Sequence, residues 1–381
     1  MQKILLQPVL LGKKGDLKKQ LAVLKTQNPG LLVKDEYESQ LEELFLLRNP
    51  RFRFIKEYKN DFRGFVSRHK KNGVDLSECG KWFFFPWLRT VVHILDEQEF
   101  FEMRTGRNMN LITGEEQKKF YNATVAIAGL SVGSHAAATL VMNGGPRAIK
   151  IADFDTLSGS NLNRVRTGVQ NIGEKKAILV ARQLYELNPY SKLEVNDDGL
   201  NENNIEQFLR GADLLIEEMD NPFYKFRIRE LAKIKRIPVI MATDNGDNIF
   251  VDIERYDIQK NLAIFNGQVK NIASKDLKKI DPRNLPAIAA RIAGAEIATT
   301  RMQKSVLEVG KTLYSWPQLG TAANLCGTVL AYLTRNIVNG YDNFKSGRYE
   351  INLEAILDAD YAKNKPQRAR ETKKFLKIIG I

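Results

Sequence analysis

The chain has 381 residues, of which 43% are hydrophobic and 27% are charged, a composition that fits one large or two moderate globular domains. No apolar run approaches the roughly 20 residues that cross a bilayer, and no secretory cleavage site follows the N-terminus, so we expect a cytoplasmic protein with no membrane partner. The net charge of +13 would attract an acidic peptide, an anionic membrane or nucleic acid, but without any nucleic-acid-binding signature we expect no nucleic acid.

Residues 1–100 are predicted to form a small α+β module. Runs of apolar residues predict strands over 3–11 and 31–33. Helical spacing of apolar residues predicts helices over 16–26 and 37–47. Such a module could bind a peptide by adding a strand to an exposed sheet edge, or it could extend a dimer surface.

The next part of the chain contains a strand, a glycine turn and a helix in succession. Thr124–Ala128 is a short apolar run typical of a buried parallel strand. Gly129 and Gly133 bracket a tight turn after it, and Ser134 is well suited to cap the helix that follows. The N-terminus of that helix would offer its N–H groups and its dipole to an anion.

A second strand, Ala148–Ala152, leads into a polar loop. Asp153 directly follows this strand, and its separation from Gly129 is near that at which dinucleotide-binding folds place an acid on a ribose hydroxyl. The loop then carries carboxylate, amide and cationic side chains: Asp155, Asn161, Asn163, Arg164, Lys175 and Lys176. Arginine could hold phosphate oxygens as a fork and lysine as a point charge. The alternative is a solvated connecting loop with surface ion pairs.

Beyond Lys176, helices and strands continue to alternate, which predicts a doubly wound, Rossmann-like α/β fold with a mainly parallel sheet. Asp220 follows the strand predicted over 213–217, at the carboxyl edge where ligands of such sheets bind. A strand over 249–254 predicts an antiparallel extension. We expect this main domain to cover 101–345 and a basic helix or tail to cover 346–381.

Five short motifs in this region occur in the order and at the spacing of a known family. They are ADFD at 152–155, SNLNR at 160–164, GEKKA at 173–177, ELNP at 186–189 and MDN at 219–221. Together with the glycine turn, they resemble the ThiF-type adenylyltransferases, which are relatives of the ubiquitin-activating enzymes. The resemblance covers residues 104 to 256 well and reaches more loosely to residue 340.

The resemblance implies a nucleotide site for ATP and Mg²⁺. Asp153 would bind the ribose, and Asp220 would hold the metal near the α-phosphate. Arg107, in the segment RTGRN, would be inserted into the site by the partner protomer of a homodimer. The catalytic set would be Arg107, Arg164, Lys176 and Asp220. The nucleotide-binding set would be Gly129, Ser131, Gly133, Asp153, Asp155, Asn161, Arg164 and Lys176.

The chain departs from the family pattern at two points. Its turn, GLSVG at 129–133, is one residue shorter than the family's G-x-G-G-x-G, which disfavours a nicotinamide or flavin site. Members that handle sulfur carry paired CxxC zinc ligands and a catalytic cysteine. This chain has only Cys79 and Cys326, at no zinc-binding spacing, so we expect neither a structural zinc nor a catalytic thiol.

The resemblance therefore implies ATP-dependent adenylation of a carboxylate or amide on a peptide or small protein, with release of pyrophosphate. Without a thiol, another nucleophile would attack the acyl-adenylate, as in members of the microcin C7 or pantocin A type, which modify ribosomal peptides in antibiotic biosynthesis. An acidic peptide would suit the charge of +13. One alternative is activation of the C-terminal glycine of a ubiquitin-like sulfur-carrier protein. Another, from a different class, is an NAD(P)-dependent oxidoreductase or a nucleotide-sensing binding protein.

Overall fold

The computed structural model describes residues 6–12, 16–55, 57–70, 74–269, 272–277 and 285–381. The chain divides into two units: unit 1 is Met1–Gln117 with Leu184–Ser191, and unit 2 is Lys118–Gln183 with Lys192–Ile381. The domain boundaries expected near residues 100 and 345 stay predictions. Among the described helices, none is long and apolar enough to cross a membrane.

Unit 1 contains a four-stranded sheet and several helices, which confirms the predicted α+β module. Its strands are β1 (Val9–Leu11), β2 (Leu32–Asp35), β3 (Lys81–Phe85) and β4 (Thr90–Ile94), in the order β1-β3-β4-β2. Its helices are α1 (Leu17–Gln27), α2 (Tyr37–Arg48), α3 (Lys59–His69) and α4 (Glu97–Thr105), and α5 (Gly114–Asn122) leads into unit 2. Strands β3 and β4 are absent from the predicted elements because both faces of each strand are largely buried, which removes the alternation that marks a half-exposed strand.

Unit 2 is built on a seven-stranded sheet in the order β11-β10-β9-β8-β5-β6-β7. Its strands are β5 (Thr124–Ala128), β6 (Ala148–Ala152), β7 (Lys192–Asn196), β8 (Leu214–Glu217), β9 (Val239–Asn245), β10 (Asn248–Glu254) and β11 (Gly347–Ile351). Five strands that are adjacent in the sheet, β9, β8, β5, β6 and β7, pair in parallel. Strand β10 pairs antiparallel with β9 and with β11. The predicted doubly wound sheet with an antiparallel extension is confirmed. Because the strand order reverses between β5 and β8, the carboxyl ends of these two strands flank the usual ligand position of such sheets.

Helices cover the sheet of unit 2 and complete its C-terminal part. They are α6 (Gly133–Met142), α7 (Lys176–Leu187, of which the last four residues belong to unit 1), α8 (Ile205–Leu209), α9 (Pro222–Lys235), α10 (Ser274–Leu277), α11 (Leu285–Ile292), α12 (Thr300–Val306), α13 (Gly320–Val338), α14 (Leu353–Leu357) and α15 (Lys365–Ile379). The basic helix expected near the C-terminus is α15. Strand β11 lies in the same segment and is missing from the predicted elements, because the edge strand GRYEI is polar and only partly buried.

Candidate active site

Gly129 follows strand β5 directly and makes a close backbone contact with Glu218, the residue after β8. Its φ of 91° lies in the left-handed region, and its N–H donates to the carbonyl oxygen of Ala152 at 2.9 Å. A Cβ at this position would lie 2.3 Å from the carbonyl oxygen of Glu218. Only glycine meets both conditions without strain. The first glycine of the motif therefore fixes the turn at the point where the strand order reverses.

Helix α6 begins directly after this turn, at Gly133. Its N-cap is Val132, so the prediction that Ser134 caps the helix is wrong. Ser134 already lies within the first turn, and its hydroxyl donates to the carbonyl oxygen of Ser131 at 2.8 Å. The N–H of His135 donates to the carbonyl oxygen of Val132 at 3.0 Å, and the N–H groups before it in this ten-residue helix lack intrahelical acceptors, so they and the helix dipole favour an anion.

Asp153 connects the glycine turn to the loop after β6. One oxygen of its buried carboxylate accepts the N–H of Leu130 at 2.7 Å, and the other accepts the N–H of Asp155 at 2.8 Å. Burial raises the pKa of Asp153, while the nearby Lys176 charge and these two N–H groups act in the opposite direction. Each carboxylate oxygen has more than one lone pair, so these bonds leave acceptor capacity for a hydroxyl group.

Two neighbouring lysines after this loop have different environments. Lys176 is buried, and its Nζ lies 2.7 Å from Oδ2 of Asp155. Lys175 is more exposed and donates to the carbonyl oxygens of Phe154 and Asp197, each at 3.0 Å. Lys176 is thus joined through Asp155 and Asp153 to the glycine turn, whereas Lys175 supports the backbone of the loop.

The SNLNR motif forms a short 3-10 helix that positions Asn161 and Arg164. Asn161 is buried, and its Oδ1 accepts the N–H of Ser158 at 3.1 Å. The guanidinium of Arg164 is half-buried and donates to Oδ1 of Asn163 at 2.9 Å. Within the described residues, Nε of Arg164 is buried and has no hydrogen-bond partner. A buried donor without a partner is unusual in a folded protein, and a bound anion would satisfy it.

Asp220 lies after β8 at the carboxyl edge of the sheet, with an exposed side chain. Its loop is held on both sides: Oε1 of Glu217 accepts the N–H of Met219 at 2.7 Å, and Asn221 caps α9 by accepting the N–H of Tyr224. No cluster of three or more potential metal ligands among His, Cys, Asp and Glu is found in the part of the chain that the structure describes.

Arg107 is the predicted site residue that lies in unit 1. It belongs to a 3-10 helix, Gly106–Asn108, and its side chain is exposed. The resemblance implies that Arg107 lies in the site of a partner protomer. An ion pair between Arg107 and Glu102, five positions earlier, would be the local alternative, but Glu102 pairs with Arg48 at 2.7 Å.

Two carboxyl groups outside the motif set lie at the same edge of unit 2. Glu218 follows β8, and its Oε1 accepts the N–H of Ala242 at 2.7 Å. Asp244, near the end of β9, accepts a hydrogen bond from Nε2 of Gln318 at 3.1 Å. Burial raises the pKa of both groups, that of Glu218 well above its ordinary value. The sequence signal that could have indicated these two acids is their position at strand ends, but acidic residues are frequent in such turns.

The comparison with known proteins fits the motif order found in unit 2. The model of the ThiF family matches residues 105–371, which is more than half of the chain. The chain belongs to the ThiF family. This family assignment confirms the resemblance that the ordered motifs predicted.

Individual relatives of this ThiF-family chain share about a third of its residues or fewer over the matched segments. The uncharacterized protein MT1398 of Mycobacterium tuberculosis is 34% identical over 330 residues, which are 86% of this chain and 46% of the relative. Adenylyltransferase and sulfurtransferase uba4 of Pyricularia oryzae is 29% identical over 143 residues, which are 37% of this chain and 29% of the relative. The chain thus spans less than half the length of either relative. A crystal structure of E. coli MccB with MccA-N7isoASN has 18% identity and a TM-score of 0.40, covering 62% of this chain and 66% of MccB.

Proposed function

We propose that this chain is an ATP-dependent adenylyltransferase that activates a carboxylate or amide of a peptide or small protein and releases pyrophosphate. The observation that carries the proposal is that two cationic residues are tied to the glycine turn and the first turn of α6. Lys176 is tied through Asp155 and Asp153, and the backbone carbonyl of Arg164 is bonded to His135 of α6. Family membership and the name of the Pyricularia relative support the same chemistry.

The residues at this edge fit the parts of ATP. The N-terminus of α6, Arg164 and Lys176 suit the phosphates, because N–H groups, a forked cation and a point charge all favour oxyanions. Asp153 keeps acceptor capacity for the ribose. Asp220 suits Mg²⁺, which in nucleotide sites takes one or two carboxylates together with phosphate oxygens. Bound Mg²⁺ would neutralise charge that develops on the phosphates.

In the reaction we propose, an oxygen of the substrate attacks the α-phosphorus of ATP. A phosphorus–oxygen bond to the substrate forms while the bond to pyrophosphate breaks, and negative charge moves onto the leaving pyrophosphate. Arg164 and Lys176 would stabilise that charge from fixed positions, so little reorganisation is needed as the barrier is crossed. No thiol takes part in this step.

Neither cysteine has the environment of a nucleophile that could take the acyl group. Cys326 is fully buried in α13, its Sγ lies 3.7 Å from a carboxylate oxygen of Asp244, and burial raises the pKa of its thiol. Cys79 in unit 1 is partly buried, and burial raises its pKa as well. A nucleophilic thiol needs a lowered pKa. We therefore propose that a non-thiol group, such as another part of the substrate, attacks the acyl-adenylate.

For the substrate we propose an acidic ribosomal peptide that is matured to an antibiotic in the cytoplasm. The charge of +13 supports an acidic partner. Edge strand β2 of unit 1 is exposed at every residue and offers a place where an extended peptide could add a strand. The alternative within the same chemistry is the C-terminal glycine of a ubiquitin-like sulfur carrier.

ATP–pyrophosphate exchange tests the activity with the full chain. We expect exchange that requires Mg²⁺ and increases when the correct acidic peptide is added. If exchange is stimulated by a carrier protein that ends in two glycines and not by any peptide, the substrate is the carrier and not a peptide. Reduction of NAD(P) without exchange would move the protein to the oxidoreductases, and nucleotide binding without either reaction would make it a sensor.

A further inference from the structure

His135 lies in the first turn of α6 and makes a long-range contact to the loop that carries Arg164. Its side chain is buried, with 2% of its surface exposed, and Nε2 is hydrogen-bonded to the carbonyl oxygen of Arg164. A carbonyl oxygen only accepts, so Nε2 must carry the hydrogen. Burial lowers the pKa of His135, which favours the neutral ring with its hydrogen on Nε2.

Helix α13 packs closely against both His135 and the SNLNR loop, the two segments that this contact joins. A Cβ at Gly327 would lie 2.3 Å from Cβ of His135, and one at Gly320 would lie 2.7 Å from the carbonyl oxygen of Asn163. Arg166, two residues after Arg164, donates to Oδ1 of Asn324 on the same helix. Two glycines of α13 therefore create the space in which His135 and the SNLNR loop meet.

We propose that His135 is a positioning residue for the adenylation reaction: by holding the carbonyl oxygen of Arg164, it fixes the backbone from which the guanidinium reaches the phosphates. The inference rests on the proposed function. Neither the glycine turn nor the SNLNR motif includes this histidine, and its contact joins the first turn of α6 to the SNLNR motif.

The physical basis of this role is preorganisation. The side chain of Arg164 is held by Oδ1 of Asn163, and its backbone by Nε2 of His135. A cation that is fixed at both points loses less conformational entropy when it binds a phosphate. Without the His135 bond, this carbonyl oxygen would lose its partner, and the loop would shift until water or another donor satisfied it.

Variants of His135 can separate the hydrogen bond from the packing. His135→Gln keeps an amide N–H at a reach similar to that of Nε2, whereas His135→Asn has the same amide one methylene shorter. His135→Leu fills the space without a donor. Binding of ATP with Mg²⁺ and of AMP to the full chain should be measured for each, alone and combined with Arg164→Ala.

We expect His135→Asn and His135→Leu to weaken ATP binding about tenfold, with AMP binding little changed and His135→Gln within about threefold of wild type. With Arg164→Ala present, the His135 substitutions should cause no further loss, since the residue they position is absent. An equal loss of ATP affinity with and without Arg164→Ala, or an equal loss for ATP and AMP, would mean that His135 only packs. Wild-type ATP affinity in the Asn and Leu variants would also overturn the proposal.

Tryptic cleavage after Arg164 and Arg166 gives a readout that needs no nucleotide. We expect cleavage at this loop to be at least about fivefold faster in His135→Asn than in His135→Gln, because the shorter amide leaves the loop unanchored. Equal rates would overturn the anchoring. If wild type binds neither ATP nor AMP, the proposed function fails, while this comparison still decides whether His135 holds the loop.

Discussion

Lys176 and Asp155 form a close ion pair, with 2.7 Å between Nζ and Oδ2, and the lysine is almost completely buried. Its neighbour Lys175 instead donates to two main-chain oxygens. The pair therefore distinguishes two adjacent residues of the same type, one beside the candidate site and one that supports a loop.

We expect Lys176→Ala to lower ATP–pyrophosphate exchange by at least about a hundredfold, roughly 3 kcal/mol of transition-state stabilisation, because a fixed cation is lost from a developing charge. Arg164→Ala should cause a similar loss. Lys175→Ala is the matched control and should retain most of the exchange activity. A larger loss in Lys175→Ala than in Lys176→Ala would show that the two roles within GEKKA are reversed.

Asp220→Ala should abolish exchange without unfolding the protein. The carboxylate is proposed to hold Mg²⁺, and because its side chain is exposed, the change in the free energy of unfolding should be within about 0.5 kcal/mol. Exchange rates at increasing Mg²⁺ and thermal unfolding measure both effects. Glu206→Ala, another exposed acid of unit 2, is the control and should leave exchange intact. Undiminished exchange in the Asp220 variant would remove this residue from the site.

Arg107 should act across a homodimer. Arg107→Ala and Asp220→Ala are each expected to be inactive, but after random subunit exchange half of the dimers contain one of each. One site of such a mixed dimer has both residues, so activity should return to roughly a quarter of wild type. Exchange of differently tagged subunits must be verified in the same sample. If subunits exchange and activity stays at the level of the single variants, Arg107 does not act in trans.

Arg229 should be essential for the stability of unit 2. It is fully buried, with Nε 2.7 Å from Oε2 of Glu254 and a further ion pair to buried Glu217. Arg229→Met would leave both acids without this partner, and we expect it to lower the free energy of unfolding by about 3–5 kcal/mol. Arg227→Met, on the same helix but half-buried with longer ion pairs, should cost no more than about 1 kcal/mol. Denaturant titration of the two variants makes the comparison, and similar losses would contradict the special role of Arg229.

Glu218 should make stability depend on pH. Since burial raises its pKa in the folded state above that of the unfolded chain, the folded state binds the proton more tightly, and stability falls as pH rises between these two values. Glu218→Gln keeps the acceptor for the N–H of Ala242 but cannot ionise. We expect the thermal midpoint of the variant to rise relative to that of wild type as pH rises above the ordinary pKa of glutamate, about 4.3. Thermal midpoints that change with pH in parallel in the two proteins would show that Glu218 does not titrate with a raised pKa.

The features that could be predicted from the sequence are those with a local cause. Strands β5 and β6 were predicted with the bounds that the structure has because their apolar runs end at turns, and the turn after β5 requires glycine at residue 129, whose φ is positive. The ordered motifs also predicted the ThiF family. In each case, the signal lies in the residues of the element or motif itself and in the spacing between motifs. The individual site roles stay predictions.

The tertiary structure alone decided the contacts between distant segments. Nothing near His135 in the sequence indicates that its ring bonds the carbonyl oxygen of Arg164, because that contact depends on how closely α13 approaches at Gly327. Packing between helices sets these distances, and packing depends on the volumes of side chains far apart in the chain.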